Sequence, residues 1–274
     1  MTKLKLLDTF SGIGGFSYAA ERIVGGFETI QFIEWEPYCQ RILNQHWPAV
    51  PIHSDIQDFN PPAFSADVIC GGFPCQDISV AGKQAGIKQG TRSGLFYELI
   101  RVIRLVRPKY VVLENVAAIV TNGLGVVLGE LAEAGYDAEW SCIRASDLGA
   151  CHRRDRWWLV AYPNSNWQRE ANKIQTGRHT IDDGVIAHAN SSGPQGFGGA
   201  SELRKTGAEK PPRWDPGDPM LSPEWRSYVS KPLLFRGDDG LSNRVDRIRA
   251  LGNSVVPQVA AVPLRRVLEL ESLK

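Results

Sequence analysis

The stretch KLKLLDTFSGIGGFSYAAE, residues 3–21, starts as an apolar run and continues into a helix-like pattern, with three glycines between the two. The apolar run predicts a buried strand, and the periodicity over residues 15–24 predicts a helix. Gly12, Gly14 and Gly15 then form the connecting turn, where the backbone can approach a ligand and the helix start offers free N–H groups. A tight structural turn explains the same glycines equally well, and their spacing differs from the dinucleotide pattern GxGxxG.

The strand-then-helix order repeats along the first 161 residues. The predicted strands are KLKLLDTF, ETIQFIEW, ADVICGG, KYVVLENV and RWWLVAY, and the predicted helices lie near 15–24, 36–46, 93–106 and 122–134. This alternation predicts an α/β fold with a doubly wound, mostly parallel sheet. Ligands of such sheets bind at the carboxyl ends of the strands.

Composition divides the chain into three predicted parts, residues 1–162, 163–240 and 241–274. The middle part is rich in Gly, Pro, Asn, Ser, Trp and Arg without a sustained period, which predicts a small loop-rich domain or a long functional insertion. From about residue 254 the pattern VVPQVAAVPLRRVLEL predicts a helix that returns to the first domain.

Charge and cysteine content restrict the class of protein. The net charge is +1; residues 162–274 hold 16 basic and 13 acidic side chains, and residues 1–161 hold 15 and 17. This imbalance is a weak indication that the C-terminal part meets a polyanion, and ordinary solvated charge explains it equally well. No apolar run approaches the ~20 residues of a membrane span, and no signal-peptide layout is present. Five cysteines without a CxxC pair favour free thiols in the reducing cytoplasm.

Polar and aromatic residues follow several predicted strands. Glu34 and Trp35 lie about 20 positions after the glycines, where an acidic side chain suits a ribose diol and an indole suits an adenine face. Asp55 ends the next strand. Together these residues indicate an adenosine-containing ligand.

The stretch GGFPCQDIS, residues 71–79, places Cys75 where a buried strand reaches solvent. A thiolate is a soft nucleophile suited to an activated ring carbon, although a structural role explains Cys75 equally well at this point. Cys70, inside the apolar run, is expected in the core.

Charged residues mark the last two predicted strands. Glu114 and Asn115 end KYVVLENV, where they cap a helix or read a base edge. Arg154 and Arg156 lie two apart, on one face of an extended strand. Paired arginines are often surface residues, but the apolar strand that follows favours a shared cleft. The turn at 252–254 is another candidate ligand contact.

Seven blocks, DTFSGIGGF, EW, DI, GGFPCQ, ENV, HRRDR and GNSVVPQV, occur in this order. With them the chain resembles the DNA (cytosine-5-)-methyltransferases of bacterial or phage type, over most of residues 1–161 and about 245–271. The resemblance implies the S-adenosylmethionine-dependent methyltransferase fold, S-adenosylmethionine as methyl donor, S-adenosylhomocysteine as product and no metal. It also implies double-stranded DNA as partner, with the target cytosine flipped out of the helix.

The resemblance implies a donor site at the strand ends. Phe10 and Trp35 are expected on the two faces of the adenine, Glu34 on the ribose hydroxyls, and Asp55 and Ile56 at the adenine ring. The expected donor-binding set is Phe10, Gly12, Gly14, Gly15, Glu34, Trp35, Asp55, Ile56, Pro74, Leu95, Asn253 and Ser254.

The resemblance also implies covalent catalysis, because carbon 5 of cytosine is not nucleophilic enough to attack a methyl sulfonium unaided. Cys75 is expected to add to carbon 6, while Glu114 holds ring nitrogen 3 and Arg156 the carbonyl oxygen, stabilising the charge that develops on the ring. The expected catalytic set is Cys75, Glu114, Arg156, Arg154, Asn115 and Pro74.

DNA contacts are expected in two regions. Residues 76–93 match the family's mobile loop, with Gln76, Ser79, Lys83 and Arg92 as DNA contacts. Residues 163–240 correspond to a small target-recognition domain that reads base edges in the major groove. Its candidate side chains are Arg169, Arg178, Arg204, Arg213 and Arg236. The chain departs from the family pattern at His152, where Gln is usual, and at residues 243–254, which replace a usual motif.

Alternatives from other classes are an RNA (tRNA) cytosine-5 methyltransferase of the same fold, a catalytically silent DNA-binding relative, and a nicotinamide oxidoreductase, which the glycine spacing disfavours. The expected state is a cytoplasmic monomer, associated with the bacterial nucleoid through DNA. Protection against a separate cognate restriction endonuclease, shielding of a phage genome and marking of a host chromosome are the alternative biological roles.

Overall fold

A computed structural model of the chain describes residues 2–74, 94–164 and 244–273. Its strands are β1 (Leu4–Thr9), β2 (Phe27–Ile33), β3 (Ile52–His53), β4 (Val68–Gly71), β5 (Tyr110–Val116), β6 (Tyr136–Arg144) and β7 (Asp155–Pro163). They form one sheet in the order β3-β2-β1-β4-β5-β7-β6. The strands from β1 to β5 pair in parallel, whereas β7 runs antiparallel to both β5 and β6. The predicted α/β fold with a mostly parallel sheet is confirmed.

Seven helices accompany the sheet in the described residues. They are α1 (Gly15–Tyr18), which continues as a π-helical turn over Ala19–Val24, α2 (Pro37–His46), α3 (Leu95–Val106), α4 (Ile119–Asn122), α5 (Leu124–Glu133), α6 (Arg244–Asn253) and α7 (Pro257–Ser272). A short 3₁₀ turn covers Ala145–Leu148. None of the helices in these ranges combines the length and apolar character needed to cross a membrane.

Apolar side chains pack on both faces of the sheet. Val111 and Leu113 of β5 belong to the cluster that α3 and α5 cover. Tyr110 and Val112 of the same strand belong to the opposite cluster, which contains side chains of α1 and α7. This is the two-residue alternation of a strand buried on both faces. The next residues of β5, Glu114 and Asn115, therefore belong to opposite faces.

The C-terminal helix α7 packs on the sheet beside α1. Val259, Ala260, Leu264 and Val267 are buried in the cluster that also holds Phe16 of α1. The apolar face that the sequence indicates for this segment is therefore covered by the residues of the first domain. The boundaries at 162/163 and 240/241 stay predictions, because residues 165–243 lie outside the described residues.

The sequence analysis did not predict strand β6. Most of its side chains remain partly exposed, because β6 forms the edge of the sheet next to β7. An edge strand therefore lacks the apolar run by which the other strands were recognised. Tertiary contacts hold β6 in place: Arg266 of α7 donates to both carboxylate oxygens of Glu139, at 2.9 and 3.0 Å.

The packing of α7 can be tested by removing one buried side chain. Leu264 has no exposed surface, so Leu264→Ala should leave a cavity and lower the free energy of unfolding by about 2–5 kcal/mol. Leu273→Ala is the matched control: Leu273 is 79% exposed, and its loss should change stability by less than about 0.5 kcal/mol. Urea denaturation measures both variants. Equal, small effects would show that α7 does not belong to the core.

Candidate active site

The turn after β1 lies at the carboxyl edge of the sheet. Gly12 and Gly14 adopt left-handed backbone angles, with φ of 55° and 83°, which glycine tolerates best. A Cβ on Gly12 would meet no atom within 4 Å, whereas a Cβ on Gly14 would lie 2.6 Å from the ring of Trp47. The side chain of Trp47 therefore leaves no room for a larger residue at position 14, whereas position 12 has open space around it.

Glu34 connects this turn to the loop after β2. One carboxylate oxygen accepts a hydrogen bond from the backbone N–H of Gly12 at 2.7 Å, and the other accepts one from Glu36 N–H at 2.8 Å. Burial raises the pKa of Glu34, and these two hydrogen bonds oppose the rise. The adjacent Trp35 is 70% exposed, so a large aromatic surface lies open beside a fixed carboxylate.

The remaining residues of the expected donor set surround the same edge. Phe10 has a φ of 52° and packs partly on the core. Asp55 is half-buried and accepts a hydrogen bond from Gln57 N–H at 3.0 Å. Ile56 is buried, and Leu95, the first residue of α3, is partly buried. The structure gives each a position, and their roles in binding stay predictions.

Residues 252–254, predicted as a turn, are the last two residues of α6 and the one that follows them. They lie between the glycine turn and Arg154. A Cβ on Gly15 would lie 2.6 Å from Cγ2 of Val255 and 3.3 Å from Oγ of Ser254, so the two segments are in close contact. From the other side, Arg154 donates to the carbonyl oxygen of Gly252 at 3.0 Å and to that of Ser254. Arg154 therefore joins the segment before β7 to residues 252–254, which are predicted to contact the methyl donor.

Glu114 and Arg156 form an ion pair across β5 and β7. In this antiparallel register Glu114 is opposite Trp158, and Val116 is opposite Arg156. Arg156 is thus the diagonal neighbour of Glu114 on one face of the sheet, and its Nε lies 3.0 Å from Oε1. Arg154 lines the same pocket with them, as expected of a shared cleft, but it lies before β7 with a φ of 30° and is not part of an extended strand.

The carboxyl group of Glu114 is nearly inaccessible to solvent. Burial raises its pKa from 4.5 to about 7, and the charges of Arg156 and Arg154 and the hydrogen bond from Arg156 oppose that rise. Burial and the neighbouring Arg156 lower the pKa of Arg154. Because its pKa is near neutrality, Glu114 can hold a proton or accept one at physiological pH.

Asn115 lies on the other face of the sheet and holds the segment that precedes Cys75. Its buried amide donates to the carbonyl oxygen of Phe73 at 3.2 Å, while its own oxygen accepts from Val116 N–H. Pro74 follows Phe73 directly. A Cβ on Gly72 would lie 3.0 Å from Oε2 of Glu114, so this segment runs beside the carboxylate.

Several predicted site residues lie outside the described residues, and their roles stay predictions. They are Cys75, Gln76, Ser79, Lys83, Arg92 and the arginines of 163–240. Within the described part, Cys70 is fully buried, and burial raises its thiol pKa. The expectation that Cys70 belongs to the core is confirmed.

Asp8, which is not among the residues predicted from the sequence, supports the glycine turn through Ser17 of α1. Its buried carboxylate accepts hydrogen bonds from Oγ of Ser17 at 2.7 Å and from Ser17 N–H at 3.3 Å. Burial raises its pKa to about 7. A carboxylate closing an apolar strand was a visible signal, since charged residues are rarely buried without a partner.

Comparison with known proteins identifies the family of this chain. Residues 4–197 match the model of the C-5 cytosine-specific DNA methylase family. The chain belongs to this family. It is 32% identical over 216 residues to the Type II methyltransferase M.Sau3AI of Staphylococcus aureus, covering 69% of this chain and 51% of that protein. It is 32% identical over 169 residues to the Type II methyltransferase M.HhaI of Haemophilus parahaemolyticus, covering 60% and 50%.

Among solved structures, the methyltransferase EhMeth of Entamoeba histolytica superposes with a TM-score of 0.50 at 17% identity, covering 59% of this chain and 53% of that one. This likeness concerns the fold alone. The chain spans about half the length of the curated relatives described above.

The close contact at Gly15 can be tested with a single methyl group. Gly15→Ala should force α1 away from Val255 and lower the free energy of unfolding by about 1–3 kcal/mol. Gly129→Ala is the matched control, because a Cβ on this glycine of α5 would meet no atom within 4 Å. It should stabilise the helix by up to about 1 kcal/mol. Chemical denaturation distinguishes the two, and equal effects would refute the contact.

The raised pKa of Glu114 should appear in the pH dependence of stability. Between its ordinary pKa of 4.5 and about 7, the folded protein keeps a proton that the unfolded chain has released, so stability falls as pH rises through this window. Glu114→Gln removes this contribution. The free energy of unfolding of the wild type, minus that of Glu114→Gln, should therefore fall by up to about 1.4 kcal/mol per pH unit.

Urea denaturation at several pH values within that window measures this difference. The exposed Glu28 of β2 provides a control, since Glu28→Gln should run parallel to the wild type. Parallel curves for Glu114→Gln as well would mean that the carboxyl group titrates normally in the folded protein.

Proposed function

We propose that this protein transfers a methyl group from S-adenosylmethionine to carbon 5 of a flipped-out cytosine within a specific sequence of duplex DNA. The observation that carries the proposal is the ion pair of the buried Glu114 with the half-buried Arg156, beside the segment that leads into Cys75. It occurs in a chain of the C-5 cytosine-specific DNA methylase family. The proposal extends the family assignment to substrate, donor and residue roles.

The residues at the carboxyl edge suit a sulfonium donor with an adenosine part. Trp35 offers an exposed indole face. The open space at Gly12 allows a ligand to approach the protein backbone there. Each oxygen of Glu34 accepts one backbone hydrogen bond, and a carboxylate oxygen has capacity for a second, which a ribose hydroxyl would supply. When bound, S-adenosylmethionine supplies an electrophilic methyl group on sulfur.

The base pocket suits a reaction in which the cytosine ring gains electrons. We propose that the Cys75 thiolate forms a bond to carbon 6, which shifts the electron pair of the 5,6 double bond toward carbon 5. The protonated Glu114 carboxyl donates its proton or a hydrogen bond to ring nitrogen 3, so the developing charge is neutralised. Its pKa of about 7 suits this task, because an ordinary carboxyl group is ionised at neutral pH.

Arg156 would bind the carbonyl oxygen of the same ring. A guanidinium has five N–H donors, more than its contacts to Glu114 and to the carbonyl oxygen of Asp155 use. Carbon 5 would then form a bond to the methyl carbon while the methyl–sulfur bond breaks and S-adenosylhomocysteine leaves. Loss of the carbon 5 proton to a base would restore the 5,6 double bond and eliminate the Cys75 thiolate. Arg154 and Asn115 act by positioning, since they hold residues 252–254 and Phe73.

The remaining partners belong to the same proposal. Residues 76–93 would close over DNA through Gln76, Ser79, Lys83 and Arg92, and residues 163–240 would read the target sequence. The relatives carry the name Type II methyltransferase, which supports a separate cognate restriction endonuclease as the biological partner. The proposed working form is a monomer.

Nucleoside mass spectrometry tests the reaction. Unmethylated duplex DNA is incubated with S-adenosylmethionine and the full chain, and 5-methylcytosine is expected. Cys75→Ala should abolish the product, and Glu114→Gln should lower the rate by about 10²–10⁴-fold. Glu28→Gln, an exposed change on β2, should retain full activity.

The same assay on transfer RNA tests the alternative substrate. Product on RNA but not on DNA would move the protein to the RNA-modifying class. Product on neither would identify a catalytically silent relative. Product on DNA with Cys75→Ala as active as the wild type would overturn the covalent mechanism, and bisulfite mapping would give the target sequence.

A further inference from the structure

The loop after β3, residues 54–60, carries two residues of the expected donor set, Asp55 and Ile56. Few backbone hydrogen bonds stabilise it internally; one joins Phe59 N–H to the carbonyl oxygen of Ile56 at 3.4 Å. The conformation of the loop therefore depends on hydrogen bonds from side chains of other elements.

Arg101, on α3, reaches this loop from more than 40 residues away in the chain. Its Nη2 donates to the carbonyl oxygens of Ile56 and Gln57 at 2.6 and 3.1 Å. Its Nη1 donates to the carbonyl oxygen of Phe59 and to Oδ1 of Asn60, both at 3.0 Å. One guanidinium thus binds four acceptors spread over five consecutive residues.

The geometry requires arginine in particular. The guanidinium presents its donors in a rigid plane, and Glu98, one turn earlier on α3, fixes that plane by accepting from Nε at 2.7 Å. A lysine ammonium carries three donors on one nitrogen, so it cannot reach four acceptors along a loop. The loop has two further attachments: His53 contacts Asp58 at 2.6 Å, and Gln40 of α2 donates to Oγ of Ser54 at 3.2 Å. Neither contact involves residues 55 and 56.

We propose that Arg101 is a positioning residue for the methyl donor. It holds the backbone of 56–60 so that Asp55 and Ile56 present a fixed edge to the adenine. The inference rests on the proposed function, and it assigns Arg101 an effect on donor binding and none on the chemistry at the cytosine. A substitution of Arg101 should therefore change the affinity for the methyl donor without changing kcat.

The test compares two identical substitutions on one helix. Arg101→Lys removes the planar guanidinium, whereas Arg104→Lys, one turn further along α3, alters a side chain that forms ion pairs with Glu130 and Glu133 of α5 in the described part of the chain. We expect Arg101→Lys to weaken S-adenosylmethionine binding by about tenfold in calorimetry. The KM for the donor should rise by the same factor, while kcat and the KM for DNA stay within about twofold of the wild type.

A merely structural role would give a different result. Arg101→Lys would then lower the unfolding temperature and leave the donor affinity of the folded protein equal to that of Arg104→Lys. That outcome overturns the inference. Glu98→Gln is a milder second variant, since it keeps the guanidinium of Arg101 but removes the negative charge that orients it. It should weaken donor binding by a smaller factor than Arg101→Lys.

Failure of the proposed function is distinguishable from failure of this inference. If the wild-type chain binds no S-adenosylmethionine, the proposed function is wrong and the inference falls with it. If the wild type binds the donor and Arg101→Lys binds it equally well, only the role of Arg101 is wrong. If kcat falls while donor affinity is unchanged, Arg101 acts on catalysis and the inference is again overturned.

Discussion

The antiparallel pairing of β5 with β7 is the constraint on which the site depends. A strand running against its neighbour brings its first residues beside the last residues of that neighbour. The first residues of β7 carry Arg156, and the last residues of β5 carry Glu114. Had β7 run parallel, its beginning would lie at the opposite edge of the sheet, and the ion pair could not form. The topology therefore creates the charge arrangement at the carboxyl edge.

Burial then decides the chemistry of that pair. A carboxylate removed from water is stabilised by neighbouring guanidinium groups only in part. Glu114 lies against Trp158 and Gly72, which exclude solvent without offering charge. The balance leaves its pKa about 7, where a carboxyl group can serve as a proton donor to a ring nitrogen. On the protein surface the carboxyl group of such a pair would stay ionised at neutral pH and could not donate a proton.

Side-chain hydrogen bonds to distant backbone groups organise the loops at this edge. Glu34 holds the backbone of Gly12, Asn115 holds that of Phe73, and Arg154 holds residues 252–254. Arg101 holds the loop after β3 in the same way. Each contact satisfies a polar group that water would otherwise solvate. In each case a side chain on a strand, next to a strand or on α3 fixes the backbone of a segment at the carboxyl edge.

The sequence by itself determined the alternation of strands and helices and the family, and it predicted most residues of the proposed site, because these follow from local apolar periodicity and from short motifs. It did not predict the edge strand β6, whose half-exposed side chains lack that periodicity. It also could not distinguish Gly14, packed against Trp47, from Gly12, which faces open space, since both look alike in a motif. Only the tertiary structure shows the contacts of Asp8, Asn115 and Arg101, because each side chain bonds to a partner that folding brings close.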